Sequence, residues 1–244
     1  MCPAEYLDKL EVKVDPRAVM YVQGYNDKKK LQPAMLELMS REIDEATGLA
    51  RPQAIYQEFV INKMQDDFLM LEDDIRLSTG KRITNLWEGS ERLGVALCTI
   101  GGGLEARVSE LSQKGENMAA FTLDIAGTVA LGSVIEQVQS HICRKAADTG
   151  VTMGPWLNPG YGEWPLTDQR LIFRIMPAGS IGVTLNDQCM MIPKKSTTLC
   201  AGVGVIETGE HFNRCQHCGV AKCPYRRHGK NRAGGLDDSD QYML

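Results

Sequence analysis

Three cysteines fall within nine residues near the end of this 244-residue sequence: Cys215, Cys218 and Cys223. Two residues between the first pair let both thiolates reach one metal, and Cys223, followed by Pro224, supplies a third ligand. Thiolates select zinc or an iron–sulfur cluster. The Cys-Pro ending resembles a ferredoxin and favours the cluster, with zinc as the alternative. His211, His217, Cys189 and Cys200 are candidates for the fourth position. The order of the cysteines is not that of a radical S-adenosylmethionine enzyme. The other cysteines are scattered, and a cytoplasmic thiol cluster is more often a metal site than a disulfide knot.

Two further segments carry groups suited to ligand binding. In NPGYGEWPLTDQ (158–169), Pro159-Gly160 is a turn signal flanked by the amphipathic rings of Tyr161 and Trp164. A rigid turn with aromatic faces makes a platform for a flat or cationic ligand; the same rings would equally cap a core. In CMMIPKKSTTLCAGVGV (189–205), Met190 and Met191 precede a proline, then Lys194-Lys195, then a strand of small residues. Such a run can line a groove for a bulky ligand, although methionines more often fill cores and paired lysines usually lie on a solvated turn.

The elements that must position these groups are read from periodicity. Residues 33–46 form a helix, with Pro33 at its start, Met35, Leu36, Met39 and Ile43 on one face, and Gly48 behind it. Residues 54–87 alternate loosely and predict short strands. Residues 92–100 read as a buried strand ending in Gly101-Gly102-Gly103, and 104–111 as a helix. The glycine turn lacks the nucleotide-binding spacing. The clearest helix is 116–147, apolar at helical spacing; Gly127 and Gly132 cost about 1 kcal/mol each against Ala in a helix interior, so a neighbour must approach closely there. A helix at 166–176 and strands at 180–185 and 196–206 complete the set. Helices and hairpin-like strands without a β-α-β rhythm favour an α+β fold.

Composition bounds the rest. Hydrophobic residues make up 43% and charged residues 24%, enough for a core. The formal charge is −4, yet the stretch from 211 onward has six Lys/Arg against three Asp/Glu, so residues 1–210 carry −7. That balance argues against a nucleic-acid partner. The mean hydropathy of −0.23 and the Asp124 interruption of the apolar run 121–135 argue against a membrane span. The acids of the first fifteen residues leave no signal-peptide core, which reads as cytoplasmic. The organisation expected is an N-terminal arm (1–30), a main domain (31–210), a Cys-rich metal-binding segment (211–228) and a flexible tail (229–244).

Four segments together resemble the reactivation domain of cobalamin-dependent methionine synthase: CTIGGGLEARVSEL (98–111), FTLDIAGTVALGSVIEQV (121–138), NPGYGEWPLTDQRLIF (158–173) and IGVTLNDQCMMIPKKSTTLCAGVGV (181–205). The resemblance covers about half the chain, in order, and is nearest to stand-alone activation-domain-like proteins that also carry a cysteine tail. It implies an α+β domain with a twisted antiparallel sheet flanked by helices. It also implies a role in returning cob(II)alamin to a catalytic cycle on a partner corrinoid protein or corrinoid methyltransferase, with S-adenosylmethionine as methyl donor and an electron donor alongside. Pro159, Gly160 and Tyr161 match the family's ligand loop. Met190, Met191, Pro193 and Ser196 match the segment near the corrinoid-facing side. Three residues before the proline, where the family usually has an arginine, this sequence has Trp156, which offers a ring to stack on but cannot clamp a carboxylate. The chain is too short for a complete synthase and has no D-x-H-x-x-G corrinoid signature. The resemblance therefore implies an accessory protein; the other reading is a non-catalytic corrinoid-protein-binding module stapled by zinc.

Overall fold

The computed structural model describes residues 3–25 and 31–204. Its centre is an antiparallel sheet whose two faces differ in side-chain size. Strands β1 (Glu5–Leu7), β2 (Gln53–Gln65), β3 (Phe68–Leu71), β4 (Arg76–Leu77), β5 (Ser90–Thr99), β6 (Thr152–Met153) and β9 (Ser196–Gly204) build it, in the order β4-β3-β2-β5-β9-β6. β1 shares an edge of β2 with β3, pairing at 54–56 while β3 pairs at 61–65. A separate hairpin joins β7 (Thr184–Leu185) to β8 (Met191–Ile192).

Alternation along a strand sends neighbouring side chains to opposite faces. On one face β2, β5 and β9 offer mostly small residues, Ala54, Gly94, Ala96, Cys98 and Ala201, beside the larger Tyr56 and Leu199; on the other they offer Ile55, Phe59, Leu93, Val95, Leu97 and Cys200. The small-residue face lets helices lie close. It carries α1 (Pro16–Val22), α2 (Pro33–Leu49), α4 (Gly103–Gln113) and the long α5 (Asn117–Asp148). At 32 residues, α5 is the longest of the described helices, and it packs on β5 and β6 as well as on α2 and α4. It is long and apolar enough to span a membrane, but 78% of its most apolar window is buried against the other elements. The close approach expected at Gly127 is present: a Cβ there would lie 2.7 Å from the Leu104 side chain of α4. Gly94 makes similar room for Tyr56, whose hydroxyl donates to Glu58 Oε1 at 2.8 Å.

The first residues belong to this layer. They run antiparallel to α5, tied by Glu5 to His141 and Lys145, by Glu11 to Gln137, by the Lys13 amide to Ser133 and by Gln23 to Thr122.

The opposite face carries α3 (Lys81–Leu86), α6 (Gln169–Ile175) and loops around Trp87 and Trp164. The fold is thus α+β, an antiparallel sheet flanked by helices, as expected from the resemblance. Helices at 33–46, 104–111 and 116–147 appear as α2, α4 and α5, and the strand at 92–100 as β5. Two local readings differ. In place of short strands at the start of 54–87 stands one 13-residue strand, β2, whose residues 54–57 are buried on both faces and so show no alternation. At 180–185, a 3-10 turn at Ala178–Ile181 and a left-handed Gly182 (φ 69°) leave only Thr184–Leu185 extended.

Candidate functional site

The loop carrying the Pro-Gly-Tyr sequence is an extension of the sheet edge. Beyond β6 the chain keeps pairing with β9: the Gly154 amide donates to the Gly202 carbonyl at 2.8 Å, and Leu157 and Cys200 exchange backbone bonds of 2.7 and 2.6 Å. Pairing fixes the side-chain directions. Leu157 enters the core on the α6 side, while Trp156 enters the core on the α5 side, 8% exposed.

The chain then turns at Pro159-Gly160. Gly160 takes φ 92°, where a side chain would be strained, and its amide donates to the Trp164 carbonyl at 2.8 Å. Trp164 anchors the turn. It is 1% exposed, its indole Nε1 donates to Asp168 Oδ2 at 2.9 Å, and the Ser78 amide donates to the same oxygen at 2.6 Å. The ring meets Trp87 edge to face, centroids 5.7 Å apart, and Trp87 Nε1 donates to the Pro155 carbonyl at 2.9 Å. Two tryptophans therefore hold the turn from both ends, and half-buried Tyr161 packs at the rim of this core.

The second segment is fixed by different means. In the β7–β8 turn, Asn186 Oδ1 accepts the amides of Gln188 (3.0 Å) and Met190 (2.9 Å). Arg170 of α6 grips the same turn, donating from Nε to Cys189 Sγ at 3.2 Å and from Nη2 to the Asp187 carbonyl. Met190 and Ile192 are left about half exposed, while Met191 packs against the core that holds Tyr161. Ser196 Oγ donates to Thr99 Oγ1 at 2.8 Å, and two residues on, buried Thr198 donates to Gln169 Oε1 of α6 at 2.9 Å.

Lys195, expected on a solvated turn, is a tether. Its amide donates to Glu105 Oε1 of α4 (2.9 Å), and its ammonium reaches Asp124 (2.9 Å) and Thr128 (2.8 Å) of α5, with 12% of the side chain exposed. Sequence reading did not single out this pairing, nor Asp168 and Gln169. One signal was present: Asp124 is the charge that interrupts an apolar run, and it does so facing a lysine.

The structure therefore places Tyr161, Met191 and Ser196 on one face of the sheet, with Pro159 and Gly160 on the turn beside them and Met190 on the hairpin. Trp156 is turned to the other face. Cys215, Cys218 and Cys223 lie outside the described residues. Among the described residues, no group of three or more His, Cys, Asp or Glu side chains is placed to hold a metal.

No family model matches the chain, and no curated protein matches it in sequence. In structure it is similar to a crystal structure of the MetH reactivation domain bound to AdoHcy, with a TM-score of 0.62 at 10% identity, covering 85% of this chain and 80% of that one. The likeness is one of fold.

Proposed function

We propose that this chain is an accessory protein of a corrinoid-dependent methyl-transfer system, assisting reductive reactivation of cob(II)alamin held by a partner corrinoid protein. The observation that supports this reading is the likeness of nearly the whole fold to a reactivation domain, together with a rigid Pro-Gly-Tyr turn on the sheet face it shares with Met191 and Ser196. The chemistry asks little covalent work of the protein. One electron converts cob(II)alamin to cob(I)alamin, which attacks the methyl carbon of S-adenosylmethionine. The sulfur–carbon bond breaks with its electron pair staying on sulfur, leaving AdoHcy. What the chain contributes is position: two reactants held together and screened from water.

In this reading Pro159, Gly160 and Tyr161 hold the sulfonium ligand, the tyrosine ring face attracting its charge. Met190, Met191 and Ser196 face the corrinoid, kept in place by the Lys195 tether. The electron comes either from an iron–sulfur cluster on Cys215, Cys218 and Cys223 or, if that segment holds zinc, from an external reductant.

One observation favours the second reading, a non-catalytic module that docks on a corrinoid protein. Trp156 stands where an arginine would clamp the ligand's carboxylate, and it is buried on the far face of the sheet. The test is anaerobic reduction of a cob(II)alamin-loaded corrinoid protein by titanium(III) citrate, followed by visible absorbance with and without this chain and S-adenosylmethionine. Reactivation requires that cob(II)alamin disappear faster only when both are present. Binding of the chain without acceleration would leave the docking module, and absence of any effect or binding would overturn both readings.

A further inference from the structure

We propose that Arg170 is a positioning residue for the hairpin that carries Met190 and Ile192, setting it at a fixed place relative to the Pro-Gly-Tyr turn. The inference deepens the corrinoid reading and rests on it for what the hairpin faces. Successive residues of a helix point about 100° apart, so Asp168, Gln169 and Arg170 at the start of α6 reach in different directions. Asp168 Oδ2 accepts the Trp164 indole and the Ser78 amide, which fixes the end of the turn. Gln169 Oε1 accepts the Thr198 hydroxyl of β9, which fixes α6 on the sheet. Arg170 donates to Cys189 Sγ and to the Asp187 carbonyl, which fixes the hairpin on α6. One helical turn therefore joins both candidate ligand segments to the sheet.

The Arg170 joint differs from the other two. Asp168 and Gln169 are buried, at 7% and 3% exposure, and serve the core; Arg170 is exposed. Its removal opens no cavity and strands no strong polar group, since the Asp187 carbonyl lies at the surface and sulfur is a weak acceptor. The hairpin, in contrast, depends on outside support. Each of its strands, β7 and β8, has two residues, too few to hold by themselves. Its turn includes Cys189 at φ 61°, a left-handed conformation that is costly for an L residue other than glycine. Asn186 shapes the turn from within by accepting the amides of Gln188 and Met190. Arg170 at the tip and the Lys195 tether beyond the base place it against the rest of the fold. Held at both ends, the hairpin presents Met190 and Ile192 half exposed. Arg170 thus acts through the hairpin and not on the reacting atoms.

The experiment uses the full chain in the same cob(II)alamin assay, together with amide hydrogen exchange of each variant in the absence of any partner. Arg170→Ala should lower the maximal rate of cob(II)alamin loss about tenfold or more, because a displacement of ~1 Å originating far from the chemistry is enough for that. The half-saturating concentration of S-adenosylmethionine should stay at its wild-type value, the mark of lost positioning and not of lost ligand binding. Cys189→Ala should act in the same direction, and the double variant should be no slower than Arg170→Ala, since both remove one contact. In Arg170→Ala the amides of Asn186, Gln188, Cys189 and Met190 should exchange faster. The Gly160 amide, bonded to the Trp164 carbonyl, should keep its protection, and the denaturant midpoint should not move. Unchanged exchange at 186–190 overturns the proposal. So does an unchanged maximal rate, a raised half-saturating S-adenosylmethionine concentration, or a double variant whose loss is the product of the two single losses. Faster exchange throughout the chain with a lowered midpoint makes Arg170 a general stabilising contact and overturns it as well. A wild-type chain without effect on cob(II)alamin refutes the corrinoid reading, while the exchange pattern still decides whether Arg170 places the hairpin, so the two fail separately.

Discussion

The two faces of the sheet solve different problems. On the α5 face, small strand residues and a glycine at 94 bring a 32-residue helix close over an apolar core, with polar ties reserved for the first residues of the chain and for Lys195. On the α6 face, large side chains and short elements leave the packing to two tryptophans and the polar anchors Asp168, Gln169 and Arg170. The first arrangement supplies rigidity; the second holds loops in set positions without sealing them over. Candidate ligand-binding groups sit on the second.

That contrast can be broken on either side. The largest effect is expected from Trp164→Ala, which empties a fully buried site and strips Asp168 of a donor; it should cost about 3–5 kcal/mol in denaturant unfolding. On the α5 face, Gly94→Val should cost about 1–3 kcal/mol, because its Cβ would meet the Tyr56 hydroxyl at 2.6 Å and the rigid ring at 3.0 Å. Lys195→Met should cost about 1 kcal/mol or less globally, while proteolysis in the 186–195 stretch should rise distinctly. Equal protection there would show that the tether is unnecessary.

The smallest effect concerns the arm. Burial works to raise the Glu5 pKa, but its bonds to Lys145 and His141 outweigh it and the net shift is downward. A carboxylate depressed in the folded state stabilises above its unfolded pKa, and that contribution fades as pH falls through the folded value. Thermal melts of the wild type should therefore lose more on going from about pH 6 to about pH 3 than those of Glu5→Gln. Identical slopes would remove Glu5 from the account.

Much of the α5 face was legible in the sequence, because a long helix against small residues leaves a strong periodic trace from 116 to 147. The Pro159-Gly160 turn was legible as well, since few residues accept a positive φ. β2 was not: with both faces covered at 54–57 it has no polar side to mark its period. The direction of Trp156 was hidden for another reason. It depends on the register of Leu157 with Cys200, partners 43 positions apart in sequence, and a shift by one residue would have sent the indole to the Tyr161 side. Lys195 was misread because its partners lie on α4 and α5, far from it in the chain.

The arm along α5 has a consequence for how the protein is made. Glu5 and His141 are separated by 136 positions, so the arm leaves the ribosome well before its seat exists. β1 can pair with β2 early, but until α5 is synthesised the stretch of Leu10, Val12 and Val14 lacks the helix to which Glu11 and Lys13 are tied. The arm must dock late, across a long loop closure. A nascent chain stalled before residue 117, the start of α5, should accordingly present that apolar stretch to whatever chaperone is nearest.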